Sequence, residues 1–298
     1  MNNIKNGLNN LGNTCFFNST LQLLYQCTIL NKLLLTNNFE GQLINKYKNF
    51  ITEYSSTDNS IITPIDIIRT VSNSLGRYGS SQEDAEQYLN YILDSLITEL
   101  HMYIDKNNIS NLKILNKNLT VKVLIDNILT IQMRKTIICP YCNYKSLSLD
   151  NENKLYLALI SNTPLSELIR NYMNEELDND NQYKCEKCNQ FSNAIINREI
   201  IQYPKYLIIT LKRYTNSNIK IDLPVNINNN IKLSIDTNYE LRGFIYHSGI
   251  TNGGHYVYYG KRADNWYLFN DSNISIVSIE EINNIIRFAY VYLYSKTN

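Results

Sequence analysis

Two Cys-x-x-Cys pairs constrain the fold of this chain more than any other feature of its sequence. Cys139 and Cys142 form the first pair, and Cys185 and Cys188 form the second, about forty residues later. Each pair can place two thiolates on one metal ion, and four thiolates make a closed tetrahedral zinc site. We therefore predict one structural zinc per chain, which would hold two distant segments together.

An asparagine follows the second cysteine of each pair. Asn143 and Asn189 tolerate the left-handed backbone conformation that a tight metal knuckle often needs. A redox-active pair is the alternative interpretation, and two pairs without a thioredoxin-like context argue against it. Because a closed four-cysteine site has no open coordination position, the zinc is expected to stabilise the fold and to take no part in chemistry.

A turn-rich stretch of asparagine and glycine leads into a helical pattern near Cys15. The pattern predicts one helix over residues 14–35, with Asn13 or Thr14 as its cap. Cys15 then lies in the first turn, where the helix dipole and free N–H groups stabilise a thiolate and lower the pKa of the thiol. The alternative is a buried cysteine that acts as a small apolar residue, and Cys27 is the better candidate for that role.

The chain has three histidines, and a nucleophilic cysteine needs one of them as a base. His101 lies late in a predicted helix and is interpreted as a surface or packing residue. His247 and His255 flank a glycine-rich loop, and a hairpin after it can bring Asn270 or Asp271 beside His255. Because side chains alternate along a strand, only one of those two is expected to face His255, unless the strand ends or bulges between them.

The hydrophobic pattern divides the chain into a helical first third and a strand-rich last third. Ser81 and Asp84 resemble a capping box at the start of one helix. Helices are predicted over residues 64–75, 81–103 and 164–177. Strands are predicted at residues 121–124, 155–160, 206–214, 239–247, 256–259, 266–269 and 288–294. We find no linker and no internal repeat, and therefore expect one domain over residues 1–298.

Composition argues against several partners. The net charge is +1, and no basic run marks a nucleic-acid-binding surface. No apolar run is long enough to span a bilayer, and the N-terminus lacks the apolar core of a signal peptide. We therefore expect an intracellular protein, cytoplasmic or nuclear, that keeps its six cysteines reduced. A monomer is expected.

Several segments together resemble the ubiquitin-specific proteases. GLNNLGNTCFFNST is similar to the family's cysteine box, and YHSGITNGGHYVYYGKRADNWYLFNDS to its histidine box. EDAEQYL, YLIITLKRY and AYVYLYSK are similar to less specific segments of the family, and the paired cysteines to its zinc site. The resemblance implies an α+β, papain-like fold with a thumb at about residues 1–115, zinc-bearing fingers at about 120–200 and a palm mainly at 201–298.

The resemblance also implies an activity, the hydrolysis of the bond after the C-terminal glycine of ubiquitin. Cys15 would be the nucleophile, His255 the base and Asn270 the third residue of the triad. Asn10 would stabilise the oxyanion, a contribution of roughly 3 kcal/mol to lowering the barrier. Asp271 is a further candidate, which would supply a negative charge just beyond the triad. The implied partners are ubiquitin and ubiquitinated proteins.

Four residues are predicted to contact the substrate. Asp84 would grip an arginine of the ubiquitin tail, and Gly254 and Tyr256 flank the histidine of the triad. The family often has Asp-x-x-Glu in this helix, whereas this chain has Gln87 in place of the second carboxylate. The alternative for Asp84 is a simple capping residue at the helix start.

Three other functions fit parts of the sequence. A protease for another ubiquitin-like modifier would use the same chemistry, and turnover of each modifier would separate the two. A catalytically silent ubiquitin-binding module is disfavoured, because Cys15, His255 and Asn270 are all present. A zinc-dependent interaction protein without enzymatic function would leave both boxes unexplained.

Overall fold

The fold follows from a chain that is helical at its start and rich in strands at its end. The computed structural model describes residues 5–76, 83–109, 121–160, 163–215, 219–250 and 253–297. The predicted α+β class is confirmed. Ser81 of the expected capping box lies outside the described residues, whereas Asp84 does cap the helix that follows it.

The described residues form eight α-helices. They are α1 (Cys15–Tyr25), α2 (Thr28–Thr36), α3 (Gln42–Ser56), α4 (Ile65–Ser74), α5 (Ala85–Lys106), α6 (Val121–Leu129), α7 (Leu165–Met173) and α8 (Ile279–Ile285), with a 3₁₀ turn at Ile286–Phe288. None of the helices in these residues has the length and apolar character needed to cross a membrane.

Two helix predictions and one strand prediction were wrong in detail. The helix expected over 14–35 is divided into α1 and α2, because the backbone at Cys27 leaves the helical region (φ −78°, ψ 65°). The strand expected at 121–124 is the start of α6, whose buried Ile125, Ile128 and Leu129 recur at helical spacing. The helix expected to reach residue 177 ends at Met173, and a short strand follows it.

The strands are named in chain order. They are β1 (Gly7–Leu8), β2 (Ile61–Ile62), β3 (Ile131–Ile138), β4 (Lys145–Glu152), β5 (Leu155–Leu157), β6 (Asn174–Glu176), β7 (Tyr183–Lys184), β8 (Phe191–Ser192), β9 (Ile195–Gln202), β10 (Tyr206–Leu211), β11 (Asn230–Ser234), β12 (Thr237–Ile250), β13 (Gly253–Arg262), β14 (Asn265–Asn270), β15 (Asn273–Val277) and β16 (Val291–Lys296).

Most of these strands belong to two sheets. The main sheet has eight strands in the order β15-β14-β13-β12-β16-β10-β5, with β11 paired to β12. The second sheet has four strands in the order β4-β3-β9-β6. The short strands β7 and β8 pair with each other, and β1 pairs in parallel with β2.

The main sheet separates two hydrophobic cores. Every residue of β10 is buried, and successive side chains point to opposite faces. Tyr206 and Ile208 pack with residues of α1 to α6, whereas Leu207 and Ile209 pack with residues of α7 and α8. A central strand with both faces covered has a continuous apolar sequence, and YLIITL predicts a strand for this reason.

Candidate active site and metal site

The N-terminal ends of α1 and α5 meet beside strand β13. The hydroxyl of Thr20 in α1 donates to the carbonyl of Ala85 in α5 (3.2 Å). The rings of Phe16 and Tyr88 pack with their centroids 4.6 Å apart. Helix α1 also packs along β13, the strand that carries His255. Cys15, the first residue of α1, therefore lies where two helices and the main sheet come together.

The loop before Cys15 is held by hydrogen bonds from one side chain. Gly12 and Asn13 both have positive φ (90° and 56°), which lets the chain turn sharply into α1. The Asn10 side-chain oxygen accepts the backbone N–H groups of Gly12 (3.1 Å) and Thr14 (3.0 Å). Thr14 is the N-cap residue, as expected, but its hydroxyl accepts the N–H of Leu11 (2.9 Å) and makes no capping bond to the helix.

Burial dominates the electrostatics of Cys15, which is only 2% exposed. Burial raises the pKa of the Cys15 thiol, and the carboxylate of Asp271 raises it further. The backbone N–H groups of Tyr256 and Phe16 act in the opposite direction but do not compensate. The sequence prediction of a lowered thiol pKa was therefore wrong, because a helix start inside the core costs the thiolate its hydration. Formation of a thiolate at this position requires a proton acceptor.

His255 lies close to both residues proposed for the third position. Its Nε2 is 2.6 Å from the Asn270 side-chain oxygen and 3.9 Å from a carboxylate oxygen of Asp271. Strand β14 ends at Asn270, and Asp271 has φ 51° in the turn to β15, so the two side chains no longer alternate. Because a side-chain amide oxygen only accepts, Nε2 carries the hydrogen, and Nδ1 is left to exchange a proton with a thiol.

Asp271 connects the hairpin after His255 with the N-terminal loop and with helix α1. Its carboxylate accepts hydrogen bonds from the side-chain amides of Asn10 and Asn18, each 2.8 Å long. Its backbone carbonyl accepts the N–H of Leu8 (2.8 Å). The side chain of Asp271 is only 12% exposed. Sequence analysis missed Asn18, although a polar residue three positions after Cys15 lies on the same side of the helix and could have indicated it.

His247, the other histidine of the glycine-rich loop, is buried and neutral at physiological pH. Burial and nearby Lys220 lower the pKa of His247 to about 4. Its Nδ1 is 2.6 Å from the Tyr214 hydroxyl, and its ring packs on that of Tyr256 (centroids 4.2 Å apart). At Gly254, a β-carbon would lie 2.2 Å from Nε2 of His247, so that glycine permits close packing against this ring.

Asp84 is a helix cap and also a member of a cluster with tyrosines. One carboxylate oxygen accepts the N–H of Glu86 (2.7 Å), and the other accepts the hydroxyl of Tyr290 (2.9 Å). The Tyr256 hydroxyl lies within hydrogen-bond reach of the Ala85 backbone. Gln87 is exposed on the same helix. The structure therefore brings Asp84 and Tyr256 to the start of α5, which packs beside the N-terminal end of α1 with Cys15. We refer to the surface between these two helix ends as the cleft.

The four paired cysteines converge where the β3–β4 turn meets the β7–β8 hairpin. All four Sγ atoms lie within 4.8 Å of one another. The sulfurs of Cys139 and Cys188 are 3.7 Å apart, and those of Cys142 and Cys185 are 3.6 Å apart. Tetrahedral coordination with bonds of about 2.3 Å would separate sulfurs by about 3.8 Å. This group of cysteines can therefore hold a metal ion.

Each cysteine pair lies in a knuckle of the same geometry. Asn143 and Asn189 have φ of 56° and 58°, as predicted for the residue after each pair. The N–H of Cys139 donates to Tyr144 (2.9 Å), and the N–H of Cys185 donates in the same way to Gln190 (3.0 Å). The two knuckles thus present their cysteines on the same local backbone structure.

These features define an α+β protein with a cysteine–histidine site at the junction of two helices and a sheet, and a separate four-cysteine cluster. The sequence profile of the family described as ubiquitin carboxyl-terminal hydrolase matches residues 6–294. The chain belongs to the ubiquitin carboxyl-terminal hydrolase family.

Two curated relatives illustrate the extent of the similarity. Ubiquitin carboxyl-terminal hydrolase Usp2 of Drosophila melanogaster is 28% identical over 336 residues, which cover 98% of this chain and 35% of the relative. Ubiquitin carboxyl-terminal hydrolase 25 of Arabidopsis thaliana is 28% identical over 98% of this chain and 47% of its own length. The chain therefore spans about a third to a half of the length of these relatives.

The fold is also similar to that of a solved structure. A SAGA DUB module of Ubp8, Sgf11, Sus1 and Sgf73, bound to monoubiquitin, superposes with a TM-score of 0.70 at 23% sequence identity. The similarity covers 99% of this chain and 69% of the matched chain. At this level of identity it establishes a shared fold.

Proposed function

We propose that this chain is a thiol hydrolase that cleaves the peptide or isopeptide bond after the C-terminal glycine of ubiquitin. The observation that carries the proposal is the 2.6 Å contact between His255 and Asn270. His255 lies on β13, the strand that packs against the helix that begins with Cys15. Family membership supports the reaction class, and the solved relative was bound to monoubiquitin. Ubiquitin and ubiquitinated proteins are the proposed partners.

The reaction begins with proton transfer from Cys15 to Nδ1 of His255. Because burial disfavours an isolated thiolate, the proton moves as the substrate carbonyl is attacked or just before. Asn270 accepts the N–H at Nε2 and fixes the orientation of the ring. The sulfur–carbon bond forms, the imidazolium protonates the leaving amine, and the carbon–nitrogen bond breaks. Water, deprotonated by His255, then hydrolyses the thioester and releases the thiol.

The oxyanion of each tetrahedral intermediate needs a hydrogen-bond donor. We assign this role to Asn10, whose side-chain amide has two hydrogens. One is donated to Asp271 (2.8 Å), and the other is left for the oxyanion. Because the Asn10 oxygen is held by backbone N–H groups of its own loop, the amide is preorganised, the condition for a contribution of roughly 3 kcal/mol.

Asp271 supports two of these groups. It holds the Asn10 amide, and its carboxylate lies 3.9 Å from Nε2 of His255, where its charge stabilises the imidazolium. The same charge raises the pKa of the Cys15 thiol and so disfavours the thiolate. Asp271 can therefore favour proton transfer from Cys15 to His255 only by stabilising the protonated imidazole. We therefore assign Asp271 a supporting role and Asn270 the third position of the triad.

The substrate tail is proposed to lie across the cleft toward Asp84. Tyr256 adjoins His255 and reaches the Ala85 backbone, which connects the reacting groups with the start of α5. Asp84 supplies a carboxylate for an arginine of the tail, and exposed Gln87 a neutral contact. Gly254 contributes by allowing the strand to pack closely on His247, which shapes the cleft wall.

The four-cysteine cluster is proposed to hold one zinc ion. Zinc prefers four thiolates in a closed structural site, and such an ion would hold the β3–β4 and β7–β8 knuckles together. We propose that the helical region is the thumb, that the second sheet, β4-β3-β9-β6, belongs to the fingers, and that the main sheet is the palm. Reduced cysteines fit an intracellular location, in the cytoplasm or nucleus. Monomeric state stays a prediction.

Labelling by ubiquitin that carries a C-terminal electrophile tests the proposal. We expect one adduct per chain, and mass spectrometry of peptides should map it to Cys15. The matched control is Cys27, which lies in the same core but is fully buried. Labelling that persists in Cys15→Ser, or that maps to Cys27, would contradict the assignment. Preferential reaction with another ubiquitin-like modifier would identify that modifier as the substrate instead.

A further inference from the structure

A buried asparagine of α1 lies between the loop that carries the proposed oxyanion donor and the carboxylate that holds this donor. Asn18 is three residues after Cys15 on the same helix and is only 2% exposed. Its side-chain NH2 group donates to the carboxylate of Asp271 (2.8 Å) and to the backbone carbonyls of Leu8 (3.3 Å) and Asn9 (3.2 Å). Because all three partner atoms are oxygens that only accept, they fix the orientation of this amide.

The three acceptors belong to the two segments that position Asn10. Leu8 and Asn9 directly precede Asn10 in the chain, so their carbonyls restrain the path of the loop that carries it. Asp271 holds the Asn10 amide through Oδ2, whereas Asn18 binds the other carboxylate oxygen, Oδ1 (2.8 Å in each case). One side chain of α1 therefore restrains both the backbone that leads to Asn10 and the carboxylate that binds its amide.

We propose that Asn18 is a positioning residue, which keeps the Asn10 amide in a fixed place relative to the Cys15 sulfur, so that the amide meets the oxyanion as the sulfur–carbon bond forms. The inference rests on the proposed function, because it assumes that Asn10 donates to the oxyanion. It gives α1 two tasks, since the helix that begins with the nucleophile also anchors the oxyanion donor.

The physical basis is preorganisation. A hydrogen-bond donor lowers the barrier most when it already points to the place where negative charge develops, and a displacement of about 1 Å can cost ~10²-fold in rate. A loop reaches this precision when buried side chains of packed elements support it. Asn18 gives the Asn10 loop such support, because its amide comes from a helix that packs on both α5 and β13.

Asn18→Leu tests the inference, because leucine has a similar volume and donates no hydrogen bond. We expect kcat for a ubiquitin amide to fall by about 10- to 100-fold at similar KM.

The specific measurement uses ubiquitin with a C-terminal aldehyde. The Cys15 sulfur bonds to the aldehyde carbon and the thiol proton moves to the oxygen, which then occupies the position of the oxyanion. The variant should lose at least about 10-fold in affinity for the aldehyde and keep its affinity for free ubiquitin, so the ratio of the two affinities should fall.

Two further measurements distinguish this role from a general loss of structure. Iodoacetamide alkylates a thiol by displacement of iodide and forms no oxyanion, so its rate at Cys15, followed by peptide mass spectrometry, should stay near the wild-type value. Gln22→Leu is the matched control. Gln22 is equally buried on α1, and its side chain bonds to the Asn6 carbonyl (2.7 Å) and the Tyr54 hydroxyl (2.7 Å) instead. This control should lose stability and keep the wild-type affinity ratio.

A double-mutant cycle identifies the route by which Asn18 acts. In Asn10→Ala the oxyanion donor is already absent, so the addition of Asn18→Leu should lower the affinity ratio no further. If Asn18→Leu fails to fold, as thermal unfolding would reveal, the smaller Asn18→Ala decides by the same ratio.

Three results would overturn the inference. They are an unchanged affinity ratio in a folded Asn18 variant, an equal fall of the ratio in Gln22→Leu, and additive losses in the double variant with Asn10→Ala. The proposed function has its own test in the wild-type chain. If that chain neither hydrolyses a ubiquitin amide nor binds the aldehyde more tightly than free ubiquitin, the proposed function is refuted, and the inference with it.

Discussion

The two groups of cysteines differ in how the fold assembles them. Each knuckle of the four-cysteine cluster is closed by hydrogen bonds between residues that are five positions apart, such as Cys139 and Tyr144. The surroundings of Cys15 come instead from both ends of the chain, since Asp271 bonds to Asn10 across 261 residues. A metal site can be completed by joining two local motifs, whereas the cysteine–histidine site exists only when the main sheet has formed.

The two sites also differ in the charge that surrounds their sulfur atoms. Four thiolates need a cation between them, and zinc supplies two positive charges. Cys15 is buried, and the nearest charge that influences it is the negative Asp271, which raises the pKa of the thiol. Its proton therefore needs an acceptor, and His255 is the candidate. Variants at single residues should separate the two sites cleanly.

The largest effect is expected for Cys15→Ser. Loss of the nucleophile should lower kcat/KM for a ubiquitin amide by on the order of 10⁴-fold or more. Metal content and the midpoint of thermal unfolding should stay near the wild-type values, because the side chain keeps its size. Cys27→Ser is the matched control, and it should lower stability and spare turnover. Comparable loss of turnover in both variants would show that packing near α1, rather than nucleophilic attack, limits the reaction.

Cys142→Ser should give the opposite result. One lost ligand should reduce bound zinc well below one ion per chain and lower the free energy of unfolding by several kcal/mol, because metal binding is coupled to folding. Activity should fall only as far as the folded fraction falls. Elemental analysis of the wild-type chain checks the metal, and zinc-free protein that is folded and active would contradict the proposed metal site.

The four-cysteine cluster could be predicted from the sequence more completely than the surroundings of Cys15, because its geometry is local. All four metal-site cysteines, and the left-handed Asn143 and Asn189 that follow them, could be predicted because the spacing itself constrains the geometry. Asn18 and Tyr290 were missed, because their partners lie 253 and 206 residues away and only the fold brings them together. The prediction of a lowered pKa for Cys15 was wrong. The start of a helix can be predicted from nearby residues, whereas the burial that raises this pKa depends on the whole fold.

Secondary structure shows the same limit. The short apolar run at 121–124 contains β-branched residues and predicts a strand, although it begins a helix. Helix α3 was not singled out, yet its buried Leu43, Tyr47 and Tyr54 follow a helical period that the sequence contains. A short apolar run is an ambiguous pattern, whereas the period of α3 is a clear one.

The third prediction concerns the hairpin after His255. Asn270→Ala should lower kcat by ~10²-fold, because the imidazole loses its acceptor at Nε2, and Asn270→Asp should retain most of the activity. Asp271→Ala should have its own effect through Asn10, so a double-mutant cycle of Asp271→Ala with Asn10→Ala should be non-additive. A neutral Asn270→Ala together with an inactive, folded Asp271→Ala would assign the third position to Asp271.

A smaller effect is expected from His247 when pH is lowered. Its pKa is about 4 in the folded chain and about 6.5 when unfolded, so the unfolded state binds more protons between these values. Stability should therefore be fully present above pH 6.5 and fall by up to about 3 kcal/mol as pH approaches 4. Denaturant unfolding from pH 7 to pH 5 measures this slope. His247→Gln should have a shallower slope than wild type, and equal slopes would contradict the assignment.

The smallest effect, and the one that tests the cleft most finely, is expected at Asp84. The side chain caps α5 and accepts from Tyr290, so Asp84→Ala should lower the free energy of unfolding by ~1 kcal/mol. The same variant should also raise KM, so it cannot separate the structural role of Asp84 from substrate binding.

Asp84→Asn separates the two roles, because asparagine caps a helix about as well as aspartate and carries no charge. Its oxygen can accept the N–H of Glu86, and its NH2 group can donate to the Tyr290 hydroxyl. We expect Asp84→Asn to unfold at the wild-type temperature and to raise KM for a ubiquitin amide with an arginine-containing tail, at similar kcat. Gln87→Glu should lower KM on the same substrate, because it supplies a second carboxylate on the same helix as Asp84. If Asp84→Asn shows the wild-type KM, Asp84 is a structural cap, and the tail must be recognised elsewhere along the cleft.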